Sequence, residues 1–270
     1  MKDKRILYIS SELTPYLPET EVSKMAFEVP KEMHHQGAQI RMFMPRFGVI
    51  NERRHQLHEV IRLSGMNLII NDMDMPLIIK VASVPKERMQ VYFIDNEEYF
   101  KRKAVFTDED GELFSDNDER AIFFAKGVVE TVKKLNWAPD IIHIHGWMAS
   151  LLPLYLKEYY KNDPLFKDSK IVTSAFNYNT PGVLSRDKLM DKIKFDQISE
   201  EKLGPFKNGN KDGFVRIAIE NSDAVIKGSD ELDEDLTSFL DKLEIPVLDY
   251  YPLEGFTEAY SEFYKNKVLL

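Results

Sequence analysis

Residues 139–160, PDIIHIHGWMASLLPLYLKEYY, constrain the fold more than any other stretch of the chain. Residues 140–145 form a short apolar run of the kind that makes a buried strand, and residues 148–160 have the length and composition of a helix. Gly146-Trp147 makes the turn between them. In an open α/β sheet, ligands sit at the C-terminal ends of the strands, where such turns lie. Any small-molecule chemistry is therefore expected close to His145, Gly146 and Trp147.

The flanking sequence continues the alternation of strand and helix. Residues 6–9 are a short apolar run bounded by Ser10-Ser11-Glu12, and residues 40–44 give the next strand. Between them Val22, Met25, Ala26, Val29 and Met33 recur at helical spacing, with Gly37 as the C-terminal cap. Pro30 falls inside that pattern and predicts a kink or a break. Over residues 57–94 the period changes. The runs 57–63, 66–70, 77–84 and 89–94 are short and β-rich, separated by Gly65, Asn71-Asp72 and Pro85, and predict a small antiparallel insertion. Residues 107–119 read as an acidic, flexible loop and residues 119–135 as an amphipathic helix.

Further on, residues 170–176 predict a strand and the polar segment 177–212 a mobile loop with some helix. Residues 214–221 are helical, 224–227 a strand, 231–243 a helix and 245–248 a last strand. Phe256, Ala259, Tyr260, Phe263 and Tyr264 then mark the apolar stripe of a terminal helix. The alternation of β and α segments predicts an α/β fold with a doubly wound, mainly parallel, Rossmann-like sheet. With no internal repeat and no low-complexity linker, residues 1–270 are expected to form a single domain.

Composition narrows the function classes. Hydrophobic residues at 43% and charged residues at 30% suit a soluble protein with a substantial core. The formal net charge of -9 argues against nucleic acid as the main partner, since phosphate binding needs clustered Lys and Arg. Cysteine is absent, which excludes disulfides and thiolate chemistry. The N-terminus passes from charge straight into a strand, without the apolar core of a signal peptide. No apolar run reaches the ~20 residues that span a bilayer. A cytoplasmic protein without a membrane partner is the expectation.

His143 and His145 are two apart on a strand and so share one face. A metal site needs at least a third ligand, and His34, His35, His55 and His58 have no spacing that converges on the pair, so no metal is expected. The acidic loop Asp108-Glu109-Asp110-Gly111-Glu112 has its glycine too early for a calcium loop. Ser10-Ser11-Glu12 lacks the surroundings of a hydrolase nucleophile. Neither a G-x-G-x-x-G nor a P-loop follows the first strand, so the usual backbone phosphate cradles are missing and no cofactor is expected.

Ordered motifs add a resemblance. Ser11, Glu12, Pro15, Pro30, Gly37, Pro45 and Phe47 fall in the order of the N-terminal pattern of bacterial glycogen and starch synthases, S-E-x-x-P-x-x-K-T-G-G and onward. Tyr92-Phe93-Ile94-Asp95 is similar to that family's Y-x-I-D strand. Asp116, Asn117 and Arg120 resemble its D-N-x-x-R-F helix start, and the stretch from His143 resembles its H-x-H-D-W-H-x-x-L-x-P-x-Y-L. Residues 221–226 resemble its A-D-x-V segment. The resemblance implies one half of a GT-B fold, an ADP-glucose-dependent glucosyltransferase lineage, and ADP-glucose or an α-glucan as ligand. It also implies a candidate cleft wall of Glu12, Phe100, Asp116, Asn117, Arg120, His143, His145, Trp147 and Met148. Trp147, Tyr99 and Phe100 would be its sugar-facing aromatics.

The departures from that pattern are specific. The family's K-T-G-G, whose lysine and glycine amides meet the donor phosphates, reads Pro18-Glu19-Thr20-Glu21 here. Its aspartate is Gly146 and its sugar-contacting histidine is Met148. Its V-T-x-H-N-x reads Val172-Thr173-Ser174-Ala175-Phe176-Asn177. Full synthases also carry a second, donor-binding domain, so the isolated chain is expected to be inactive. Three readings follow: an enzyme whose donor half comes from a separate chain or a second copy in a homo-oligomer, a glucan-binding or regulatory module, or an assembly scaffold. The terminal helix is expected to pack back on the first domain, as in full-length relatives.

Overall fold

The computed structural model describes residues 1–178, 182, 184–206 and 211–270. The chain begins with β1 (Arg5–Ser10), α1 (Glu21–His35) and β2 (Gln39–Pro45), then β3 (His58–Glu59), β4 (Met66–Ile70), β5 (Met73–Ser83) and β6 (Gln90–Asp95). The short α2 (Glu97–Phe100) and the long α3 (Asn117–Lys134) lead to β7 (Ile141–His145), α4 (Leu152–Glu158) and β8 (Lys170–Ala175). After α5 (Arg186–Phe195) and α6 (Lys211–Glu220) come β9 (Ala224–Lys227), α7 (Glu234–Leu240), β10 (Val247–Leu248) and α8 (Phe256–Phe263). Among the described residues the strands line up as β10-β9-β8-β7-β1-β2-β6-β5-β3, with β4 beside β5.

From β10 to β6 every pairing is parallel. The chain leaves β1 towards β2 on one side and returns through α3 to β7 on the other. The order therefore reverses between β1 and β7. Ser10 pairs with His145 at that point, so the sequence-marked turn at Gly146 sits at the topological switch, where open α/β sheets place their crevice. Ile6, Leu7, Tyr8 and Ile9 are all buried, as are Ile141, Ile142 and Ile144, which is why these runs form central strands.

The helix α1 starts at Thr20, whose hydroxyl accepts from Ser23 N at 3.0 Å while Ser23 Oγ accepts from Thr20 N at 2.8 Å. It runs unbroken through Pro30, against the expected kink or break. Val22, Met25, Ala26, Val29 and Met33 are buried against β1 and β2, and that burial outweighs the roughly 3 kcal/mol a mid-helix proline costs.

Other boundaries also move. The run 89–94 belongs to the parallel framework: β6 is parallel to β2 and antiparallel only to β5, and its residues Val91 to Asp95 are buried. The run 57–63 yields only the two-residue β3. The helix predicted at 148–160 is a 3-10 turn over Trp147–Ala149 followed by α4, with Pro153 in its first turn where a missing N–H costs nothing. The polar segment 177–212 contains α5, capped by Ser185 and burying Leu189 and Ile193; residues 179–181, 183 and 207–210 of that segment lie outside the described residues. The terminal helix α8 is placed as expected. It packs on α1, with Ser261 Oγ donating to Gln36 Oε1 at 2.7 Å, and buries Phe256, Tyr260, Phe263 and, just past its end, Tyr264. Among the described residues no helix is long and apolar enough to cross a membrane.

Candidate functional site

The turn at the β1–β7 switch point is built around Gly146. Its φ of +84° is a left-handed value that only glycine adopts readily. A Cβ at this position would lie 2.5 Å from Ser11 Oγ. Ser11 occupies that space because it ties the two strands together: its N–H donates to His145 O at 3.0 Å, and its hydroxyl accepts from Met148 N at 2.9 Å. The aspartate of the synthase pattern thus has no room in this turn.

His143 and His145 point to one face, as their spacing requires, with ring centroids 4.1 Å apart. Both are fully buried. His143 Nδ1 lies 2.6 Å from the Tyr264 hydroxyl of the C-terminal segment and Nε2 2.8 Å from Ser174 Oγ. Burial holds His143 well below its ordinary value, with a smaller push from His145. His145 has no hydrogen-bond partner on either ring nitrogen, and burial lowers its pKa to about 3. Both rings are neutral at pH 7. No third ligand joins them: among the described residues no group of three or more His, Asp or Glu is placed to hold a metal ion.

At the mouth, Glu12 accepts from the Thr20 hydroxyl at 3.1 Å, and burial raises its carboxyl above the usual range. Pro18, Glu19, Thr20 and Glu21 are exposed at the start of α1. Glu19 pairs with Lys24, and Glu21 accepts from the buried Ser229 at 2.5 Å. Glu19, Thr20 and Glu21 line a surface cleft of about 450 Å³ with Lys24 and Glu254, so three carboxylates face one ammonium there among the described residues. The cleft repels anions.

The remaining candidates form a separate, buried node. Arg102 binds the Asp116 carboxylate, with Nη1 2.7 Å from Oδ1. Asn117 accepts from Arg120 at 2.5 Å and donates to Phe106 O at 2.8 Å, and Arg120 also reaches Val105 O at 2.8 Å. The Arg120 guanidinium lies 5.3 to 5.4 Å from the rings of Phe47, Phe100 and Phe114. Burial lowers its pKa to about 9, which still leaves it charged at pH 7. This node folds residues 101–116 onto α3 and seats Phe106 against Trp147, centroids 4.9 Å apart.

That packing corrects the sugar-stacking reading. Trp147, Phe100 and Tyr99 are all buried, Trp147 between Phe106 and Phe214, and none offers a ring face to a ligand. Met148 is buried as well. The structure thus brings Glu12, His143, His145 and the 18–21 loop to one edge, and places Phe100, Asp116, Asn117 and Arg120 in a node that supports that edge through Trp147. Sequence reasoning missed Tyr264, Ser174 and Ser229 as partners. The i,i+4 pair Tyr260 and Tyr264 in the terminal stripe was the available signal, because buried tyrosines bring hydroxyls that need partners.

The sequence model for the starch synthase catalytic domain matches residues 5–244. The chain belongs to that family. Among curated relatives, a glycogen synthase from Chlorobium limicola is 38% identical over 196 residues, which is 72% of this chain and 40% of that one. A glycogen synthase from Chlorobium luteolum is 35% identical over 223 residues, 82% of this chain and 45% of that one. The chain thus spans less than half the length of these relatives. Among solved structures, the catalytic domain of starch synthase IV from Arabidopsis thaliana, bound to ADP and acarbose, superimposes with a TM-score of 0.70 at 17% identity, covering 92% of this chain and 52% of that one. The likeness supports the mixed α/β, mostly parallel GT-B architecture.

Proposed function

We propose that this chain forms the first half of an ADP-glucose-dependent α-glucan glucosyltransferase architecture, and that by itself it does not transfer glucose. The observation that carries this reading is the acidic start of α1. Glucosyl transfer from a nucleotide sugar needs positive charge or backbone amides on the departing diphosphate. Here Glu19 and Glu21 stand where the family pattern has a threonine and a glycine, and Pro18 replaces its lysine. The Thr20–Ser23 capping box already engages the helix start. Ser229 fixes Glu21 in place from the end of β9. His145 and Gly146 are buried at the switch point, and Glu12 beside them is tied to Thr20, so this edge carries no donor contact of its own.

A free-standing glucan-binding module receives less support, because Trp147, Tyr99 and Phe100, the aromatics expected to face a sugar, are in the core. The test is transfer of radiolabelled ADP-glucose onto glycogen by the purified chain. No incorporation above the enzyme-free blank is expected. Incorporation by the chain alone overturns the proposal.

A further inference from the structure

A second cleft, of about 590 Å³, lies between the loop after β1, residues 54–56 and the turn that joins β5 to β6. It sits at the N-terminal end of β6. None of its described lining residues is among those at the β1–β7 switch point, so this cleft is distinct from that site. Its volume is that of a small-molecule site. Arg54, Lys86 and Arg88 line it, and none of the described residues lining it is an aspartate or glutamate. In a chain of net charge -9 that concentration of positive charge is against the trend.

The acids nearest in sequence are engaged elsewhere. Glu87, between Lys86 and Arg88, has its carboxylate 2.8 Å from His35 Nε2. Glu52 is held by Lys80 at 2.6 Å and Arg46 at 3.4 Å. Lys86 and Arg88 both have left-handed backbone angles, φ +70° and +56°, which side chains of that size rarely adopt. Tyr16 lines the same cleft and is only 6% exposed. Its ring lies 4.9 Å from that of His55, which burial and then Arg54 push below its ordinary value, so that His55 is neutral at pH 7.

We propose that this cleft binds a phosphorylated sugar, with Arg54, Lys86 and Arg88 on the phosphate and the Gln56 and Gln90 side chains on the sugar hydroxyls. Cationic side chains suit a phosphate because charge-assisted hydrogen bonds are about twice as strong as neutral ones. Gln56 and Gln90, also in the lining, supply the neutral donors and acceptors that a polyol needs.

The test is an NMR titration of the full chain at low salt, following the His55 ring, with glucose 1-phosphate, inorganic phosphate and glucose as separate probes. Saturable binding of glucose 1-phosphate is expected, with a rise in the His55 pKa and no response to glucose. Lys86→Ala and Arg88→Ala, both exposed and neutral to folding, should each weaken binding roughly tenfold. Gln56→Ala should weaken glucose 1-phosphate and leave inorganic phosphate unchanged. Inorganic phosphate binding as tightly as glucose 1-phosphate overturns the sugar assignment. Unchanged binding in Lys86→Ala/Arg88→Ala, or no saturable shift, overturns the site.

Discussion

Lys126 of α3 and Asp196, at the end of α5, form a buried ion pair. Lys126 Nζ donates to Asp196 Oδ1 at 2.5 Å and to Ile69 O at 2.9 Å, and Asp196 Oδ2 accepts from Tyr155 at 2.6 Å. The two side chains are 4% and 6% exposed, so solvent screens the pair little. Burial lowers the Lys126 pKa, with Asp196 opposing. Lys126→Met removes the cation and leaves a buried carboxylate with one neutral partner, which costs about 3–5 kcal/mol. Over 270 residues the unfolding entropy is about 0.57 kcal/mol/K, so the melting temperature should fall by about 5–9 °C. Lys126→Met/Asp196→Asn should recover most of the loss, because the introduced amide can still accept from Tyr155 and no charge is stranded. Thermal and urea unfolding of the two single variants and the double variant measure the coupling. A single variant within about 1 kcal/mol of wild type, or a double variant as unstable as the sum of the singles, refutes the reasoning.

Other expectations follow from the crevice. Gly146→Ala puts a Cβ on Ser11 Oγ at a left-handed φ, and should cost about 2–4 kcal/mol by urea denaturation. Tyr264→Phe strands His143 Nδ1; it should cost about 1–3 kcal/mol and speed hydrogen exchange selectively in α8. His145, with its pKa lowered to about 3 from 6.5, takes up its proton in the unfolded chain before the folded one. It therefore contributes stability above about pH 6.5 that is lost as pH falls towards 3, up to roughly 5 kcal/mol. His145→Leu should flatten that arm of the pH–stability curve, and an unchanged slope counts against the assignment.

The framework was legible because its strands are short apolar runs with helices at regular intervals. The same local signal located the ligand edge: Gly146 between His145 and Trp147 is a turn whatever surrounds it, and the sheet order then put it at the switch point. What local pattern missed was decided by distant partners. Pro30 stays within α1 because β1 and β2 hold the apolar face. The helix expected somewhere within 177–212 could not be placed at Arg186–Phe195 from sequence, because Lys192 is held by Asp118 and Glu119 of α3. Trp147, Phe100 and Tyr99 were readable as sugar platforms only while Phe106, Phe214 and Phe123 were out of sight. The charge reversal at the α1 start, by contrast, is written directly in Glu19 and Glu21.

That reversal is tested most directly by calorimetric titration of ADP into the chain and into Glu19→Gln/Glu21→Gln at equal low salt. A carboxylate about 5 Å from a phosphate costs roughly 0.8 kcal/mol even at the dielectric constant of water. Two together amount to about a tenfold effect on affinity. No saturable ADP binding is expected for the wild-type chain, and at least tenfold tighter binding for the double variant. Micromolar ADP binding by the wild-type chain, unchanged in the variant, contradicts the account.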